Sequence, residues 1–139
     1  MKKIFITWYD GFLNQNAKSL ISYLQGEGYA IETSPYSPHC GLGHDPKWDN
    51  WYSADLSRHI SASDIYIACI TDSWSGSSWM GQELSVAYWC YHKNNKPKMY
   101  HINFDNCGID IGLVVFLKNS IELPTDNDGA LKILSGDML

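Results

Sequence analysis

The chain has 139 residues, a net charge of −5 and a single arginine, Arg58. That length suits one domain around one core, so a single domain over 1–139 is expected. The acidic balance, without a lysine-rich run, argues against nucleic acid as the main partner. No apolar run approaches the roughly 20 residues of a membrane span, and MKKIFITWYDG reads as the start of a strand and not as a signal peptide. Cys40, Cys69, Cys90 and Cys107 are widely spaced with no C-x-x-C pair, which fits reduced thiols in a cytoplasmic protein.

Lys2 to Trp8 is a short apolar run, and Asn14 to Gly26, with Leu13 just before it, then carries Ala17, Leu20, Ile21 and Leu24 at helical spacing. Gly26 and Gly28 end that helix, and Tyr29 to Thr33 alternates as a second strand. The stretch SPYSPHCGLGHDPKWDN, with three prolines and two glycines, predicts a long functional loop over 34–50. A helix is expected over Tyr52 to Ile60, with Leu56 and Ile60 inward, followed by DIYIACI (64–70), an apolar β-branched strand of the kind buried on both faces. After TDSWSGS, the segment SSWMGQELSVAYW predicts a helix with Ser78 as its cap and Met80, Leu84, Ala87, Tyr88 and Tyr91 as its buried stripe. KPKMYHINF reads as a fourth strand, SIELP (120–124) as a fifth and Asn127 to Ser135 as a last helix, while GLVVFLKN fits either a strand or a helical turn. Alternation of this kind predicts a flavodoxin-like, doubly wound parallel α/β sheet of about five strands, with helices on both faces. Such sheets bind ligands beyond the carboxyl ends of their strands. Those ends are Trp8-Tyr9-Asp10, the 34–50 loop, Thr71 to Ser78 and Asn103 to Asp110.

Glu83 is the candidate for chemistry. It is a single carboxylate in a segment of aromatic, apolar and small residues, four positions after Trp79, so the indole and the carboxylate share one helix face. A capping box would need Ser or Thr at position 80, where Met80 stands. Six tryptophans and nine tyrosines are many for this length. Trp8, Tyr9, Tyr36, Trp48 and Trp51, close to the expected rim, suit stacking on flat rings. The hydroxyls of Ser75 and Ser78 in TDSWSGSS suit contact with phosphate oxygens, although neither a P-loop nor a G-x-G-x-x-G fingerprint is present. Asp10, Asp45, Asp49 and Asp72 also fall in the rim loops. His39, Cys40 and His44 match no standard metal spacing, so no metal is expected.

W-M-G-Q-E-L (79–84) resembles the W-C-x-x-E-L segment of TIR domains, and IFITWY (4–9) resembles their F-I-S-Y first strand. The order of elements, with a variable loop at 34–50 in the place of that family's BB loop, extends the likeness over most of the chain. Met80 stands for the usual cysteine, and Thr7 and Trp8 for serine and tyrosine. The resemblance implies a TIR-like enzyme in which Glu83 cleaves the nicotinamide–ribose bond of NAD+, with Trp79, Trp8, Tyr9, Asp10, Tyr36, Trp48, Ser75 and Ser78 around the substrate. It implies release of nicotinamide with ADP-ribose or a cyclic or conjugated ADP-ribose signal, no cofactor beyond NAD+ as substrate, and self-association through TIR–TIR contacts. It also implies a separate effector protein responding to the product, as in bacterial antiphage defence of the Thoeris type. Neither nucleic acid nor a membrane is an expected partner. One alternative is a nucleoside 2-deoxyribosyltransferase-like enzyme with Glu83 as nucleophile. E-L-S-V-A (83–87) is close to that family's E-L-G-x-A, with Ser85 where glycine is expected. The other is a non-catalytic TIR interaction module.

Overall fold

The computed structural model describes residues 2–8, 15–33, 56–71, 78–109 and 111–137; for 78–80, 111, 112 and 137 it describes the backbone alone. Five parallel strands, β1 (Lys3–Thr7), β2 (Ala30–Glu32), β3 (Ile65–Ile70), β4 (Lys98–Asn103) and β5 (Ile121–Glu122), form one sheet in the order β2-β1-β3-β4-β5. The helices are α1 (Gln15–Gly26), α2 (Leu56–Ser61), α3 (Ser78–Asn94), α4 (Ile111–Val114) and α5 (Asn127–Asp137). This is the flavodoxin-like α/β class expected from the alternation. The ambiguous segment 112–119 is helical, α4 running into a 3-10 turn at Val115–Leu117.

β3 is central and buried along its whole length, because both faces of the sheet are covered. On one face Ile4, Ile6, Ile65, Ile67 and Cys69 pack with Ala17, Leu20 and Leu24 of α1 and Ala130 and Leu134 of α5. On the other, Phe5, Tyr66, Ala68, Ile70 and Met99 pack with Leu56 and Ile60 of α2 and Leu84, Ala87 and Cys90 of α3. Side chains of successive strand residues point to opposite faces, so Phe5 and Thr7 lie on the α2–α3 side while Trp8 falls on the other. The buried stripe of α3 differs from the expected one: Leu84, Ala87 and Cys90 are interior, whereas Tyr88 and Tyr91 are half-buried. The aromatic rings lean to the flank, where Tyr88 meets Phe116 edge to face at 5.3 Å. No helix among the described residues is long and apolar enough to cross a membrane.

At the far edge of the sheet His101 of β4 is buried, with Nδ1 2.8 Å from Ser120 Oγ and Nε2 3.5 Å from Glu122 Oε1. Burial pulls its pKa below the ordinary 6.5, against the attraction of Glu122. The unfolded chain therefore binds this proton more readily than the folded one. Stability tied to His101 is complete above about pH 6.5 and is lost as pH falls from there through the folded pKa. The expected result is a melting temperature that declines on mild acidification, with a decline visibly flatter in His101→Gln. Identical pH profiles for the two proteins between pH 7 and 5 would assign the decline to other groups.

Candidate active site

β1 leads to β2 on one side and is flanked by β3 on the other, so the strand order reverses between β1 and β3. In doubly wound sheets the crevice beyond the carboxyl ends at this point is where ligands bind. Register pairs Phe5 with Tyr66 and Thr7 with Ala68. α3 begins shortly after β3, and Glu83 in its second turn is carried back over the end of β1.

Glu83 is only 2% exposed. Thr7 Oγ1 donates to its Oε1 at 2.8 Å, and the Tyr66 phenol donates to Thr7 Oγ1 at 2.7 Å. Three residues separated by 59 and 76 positions in sequence thus form a buried polar chain in an otherwise apolar layer. The threonine hydroxyl has one proton, which goes to the carboxylate, and one of its lone pairs receives the phenol. Burial, and after it the charge of Glu83, pushes the Tyr66 phenol well above its ordinary pKa, so Tyr66 stays a donor. Glu83 lies past the first turn of α3, where the helix dipole acts most strongly; the Thr7 hydroxyl gives it a directed, charge-assisted hydrogen bond instead. Thr71, just after β3, is 6% exposed, and its hydroxyl has no hydrogen-bond partner among the described residues. A Cβ at Gly81 would stand 3.4 Å from Leu113 Cδ2 of α4, at the edge of ordinary van der Waals contact.

Glu83 is therefore interior, close to the carboxyl end of β1. Trp79 and Ser78 both belong to α3, which includes Ser78 itself, one residue earlier than a Ser78 cap implies. Trp8 directly follows β1 and is 3% exposed, packed in the α1–α5 core. Its indole is thus a core side chain and not an open stacking surface, because the period of the strand turns it away from Glu83. Tyr9, Asp10, Tyr36, Trp48, Trp51 and Ser75 lie outside the described residues, as do Asp45, Asp49, Asp72 and the His39, Cys40 and His44 cluster. Thr7 and Tyr66 were not singled out by the sequence as site residues. The only signal was a hydroxyl at the end of an apolar strand and a second inside a strand buried on both faces, and neither names its partner.

A cavity of about 270 Å3 lies at the opposite, amino-terminal edge of the sheet, lined by Lys2, Asp64, Lys96, Lys98 and Tyr100 among others. Asp64 there accepts the Lys3 amide at 2.9 Å and pairs with Lys96 at 3.5 Å. The Lys3 amide first, and Lys96 after it, hold its carboxyl below the ordinary 3.8 despite partial burial. A clamped, ionised carboxylate joining two strand starts has a structural role.

No protein-family model matches the chain, and no curated protein does. Among solved structures it is similar to a 2-deoxyribosyltransferase from Bacillus psychrosaccharolyticus, with a TM-score of 0.62 and 15% identity over 92% of this chain and 90% of the other. It is also similar to the CMP N-glycosidase of Clostridium botulinum, with a TM-score of 0.55 and 16% identity over 96% of this chain and 99% of that one. At these identities the likeness is one of fold, and it extends over nearly the whole chain.

Proposed function

We propose that this chain is an enzyme that breaks the N-glycosidic bond between an anomeric carbon and a nitrogen base, using Glu83 as nucleophile on a nucleoside or nucleotide. The observation that carries this reading is the buried Glu83 carboxylate held by Thr7 at the point where strand order reverses. Two structural neighbours named for work on such bonds, and the E-L-S-V-A segment at 83–87, support it. They favour the deoxyribosyltransferase-like alternative over the TIR-like one.

In the first step a Glu83 oxygen bonds to C1′ as the C1′–N bond breaks. The bonding pair leaves with the base, which takes up a proton from solvent. In the second, the nitrogen of an acceptor base or a water molecule attacks C1′ as the Glu83–C1′ bond breaks, releasing the carboxylate and giving its proton to solvent. Glu83 is suited to this because a desolvated carboxylate has a strong field at a carbon that gains positive charge, and Thr7 keeps it oriented without reorganisation. NAD+ belongs to the same class of substrate, since nicotinamide leaves a pyridinium as a neutral base. The W-x-x-x-E spacing, realised within α3, keeps NAD+ in view as a second reading.

A substrate screen tests the proposal. The protein is incubated with 2′-deoxynucleosides plus an acceptor base, with nucleoside 5′-monophosphates and with NAD+, and free bases are separated and quantified. The expected result is base release or exchange from the first two groups, together with a covalent sugar adduct on Glu83 in the intact mass. NAD+ cleavage alone selects the second reading, and no release from any substrate by folded protein overturns both.

A further inference from the structure

Tyr66 is fully buried, and its ring stacks on Phe5 with centroids 6.3 Å apart and planes 14° from parallel. A phenylalanine would fill this space equally well, so packing alone does not account for the hydroxyl. A buried hydroxyl costs free energy unless it is hydrogen-bonded, and this one donates to Thr7, which donates to Glu83. We infer that Tyr66 is a positioning residue for Glu83: by donating to a lone pair of Thr7 it commits the single threonine proton to the carboxylate and locks the carboxylate's orientation. This deepens the proposed N-glycosidic chemistry and rests on it only where catalysis is concerned.

The physical argument is one of direction. A threonine hydroxyl alone at a strand end can rotate about its Cβ–Oγ1 bond and turn its proton to a nearby carbonyl. With Tyr66 donating from behind, a proton turned that way leaves the phenol facing a hydrogen. Every proton of the chain therefore points toward Glu83, and hydrogen bonds aligned head to tail polarise one another. Tyr66 touches no substrate in this scheme and acts through Thr7.

The test is a double-mutant cycle of Tyr66→Phe and Thr7→Val, both close in shape to the native residues, read in two ways. The first uses protein labelled with 13C at glutamate carboxyls, in which the Glu83 signal is identified by its loss in Glu83→Gln. Tyr66→Phe should move this signal, Thr7→Val should move it further, and adding Tyr66→Phe to Thr7→Val should move it no more, because the link is already cut. The second reading is kinetic, on the substrate found by the screen: kcat should fall about tenfold in Tyr66→Phe with KM nearly unchanged. A Glu83 signal that stays in place in folded Tyr66→Phe overturns the inference, and so do additive shifts in the double variant. If the signals behave as expected while no substrate loses its base, the positioning stands and the N-glycosidase reading falls. Should Tyr66→Phe not fold, Thr7→Ser, which keeps the hydroxyl, must hold the signal nearer its native position than Thr7→Val, and the reverse order overturns the inference.

Discussion

Glu83→Gln should fold normally and lose turnover by about three orders of magnitude or more, the scale seen when a main electrostatic group or a nucleophile is removed. The shape of the side chain and its capacity to accept from Thr7 are kept, while the charge and the nucleophilic oxygen pair are lost. Stability should move the other way. A carboxylate that is 2% exposed costs desolvation free energy, which hydrogen bonds such as the one from Thr7 offset only in part. The neutral amide of Glu83→Gln carries no such charge penalty, so the melting temperature should stay level or rise, as expected where a group is kept for activity at the expense of stability. Initial rates and thermal melts on the same preparations check both halves. A folded Glu83→Gln protein that releases base at a near-native rate would remove Glu83 from the mechanism. A melting temperature lowered by many degrees would mean that the carboxylate is a structural partner whose loss is felt in the core.

Ile67→Ala should have the largest effect on stability with little effect on chemistry. Ile67 is at the centre of β3, fully buried, with Ile6 of β1 and Tyr100 of β4 beside it in register. Its side chain lies on the α1–α5 side, the face away from Glu83. Truncation of a fully buried isoleucine costs about 2–5 kcal/mol, made up of lost transfer free energy and the cavity left behind. For a domain of this size the melting temperature should fall by about 10 °C. Because Tyr66 and Thr7 point to the other layer, activity per folded molecule should remain near native. Calorimetry and rate measurements at a temperature below both melts decide it. A small thermal shift would mean that the α1–α5 layer closes over the gap, and a large loss of specific activity would mean that the two layers are coupled through β3.

Much of the fold was legible in the sequence because its signals are local. The apolar, β-branched run at 65–70 reads as a strand covered on both faces, and the spacing of Ala17, Leu20 and Leu24 as the buried stripe of a helix. From such alternation followed the parallel sheet, its helices on both faces and the rim where a ligand belongs. Glu83 also stood out by itself, as a carboxylate among residues that otherwise suit an interior. Local signals were weaker where flank and interior compete. On α3 they favoured Tyr88 and Tyr91 over Cys90, since ring size says nothing about the room beneath a helix, and on β1 they placed Trp8 on the rim without regard to which face its position in the strand would select.

What joins Glu83 to Thr7 and Tyr66 is different in kind. Thr7 lies 76 residues from Glu83, and Tyr66 lies 59 from Thr7. Nothing in their spacing indicates contact, because contact depends on strand order. Only once β3 lies beside β1, with Phe5 opposite Tyr66, and α3 crosses back over both, do three polar groups from three elements meet in an apolar layer. Composition and periodicity determined the layers of this protein and singled out its carboxylate. The tertiary structure alone decided which hydroxyls hold it, since a hydrogen bond requires atoms within about 3 Å, and folding brings distant parts of the chain to that range.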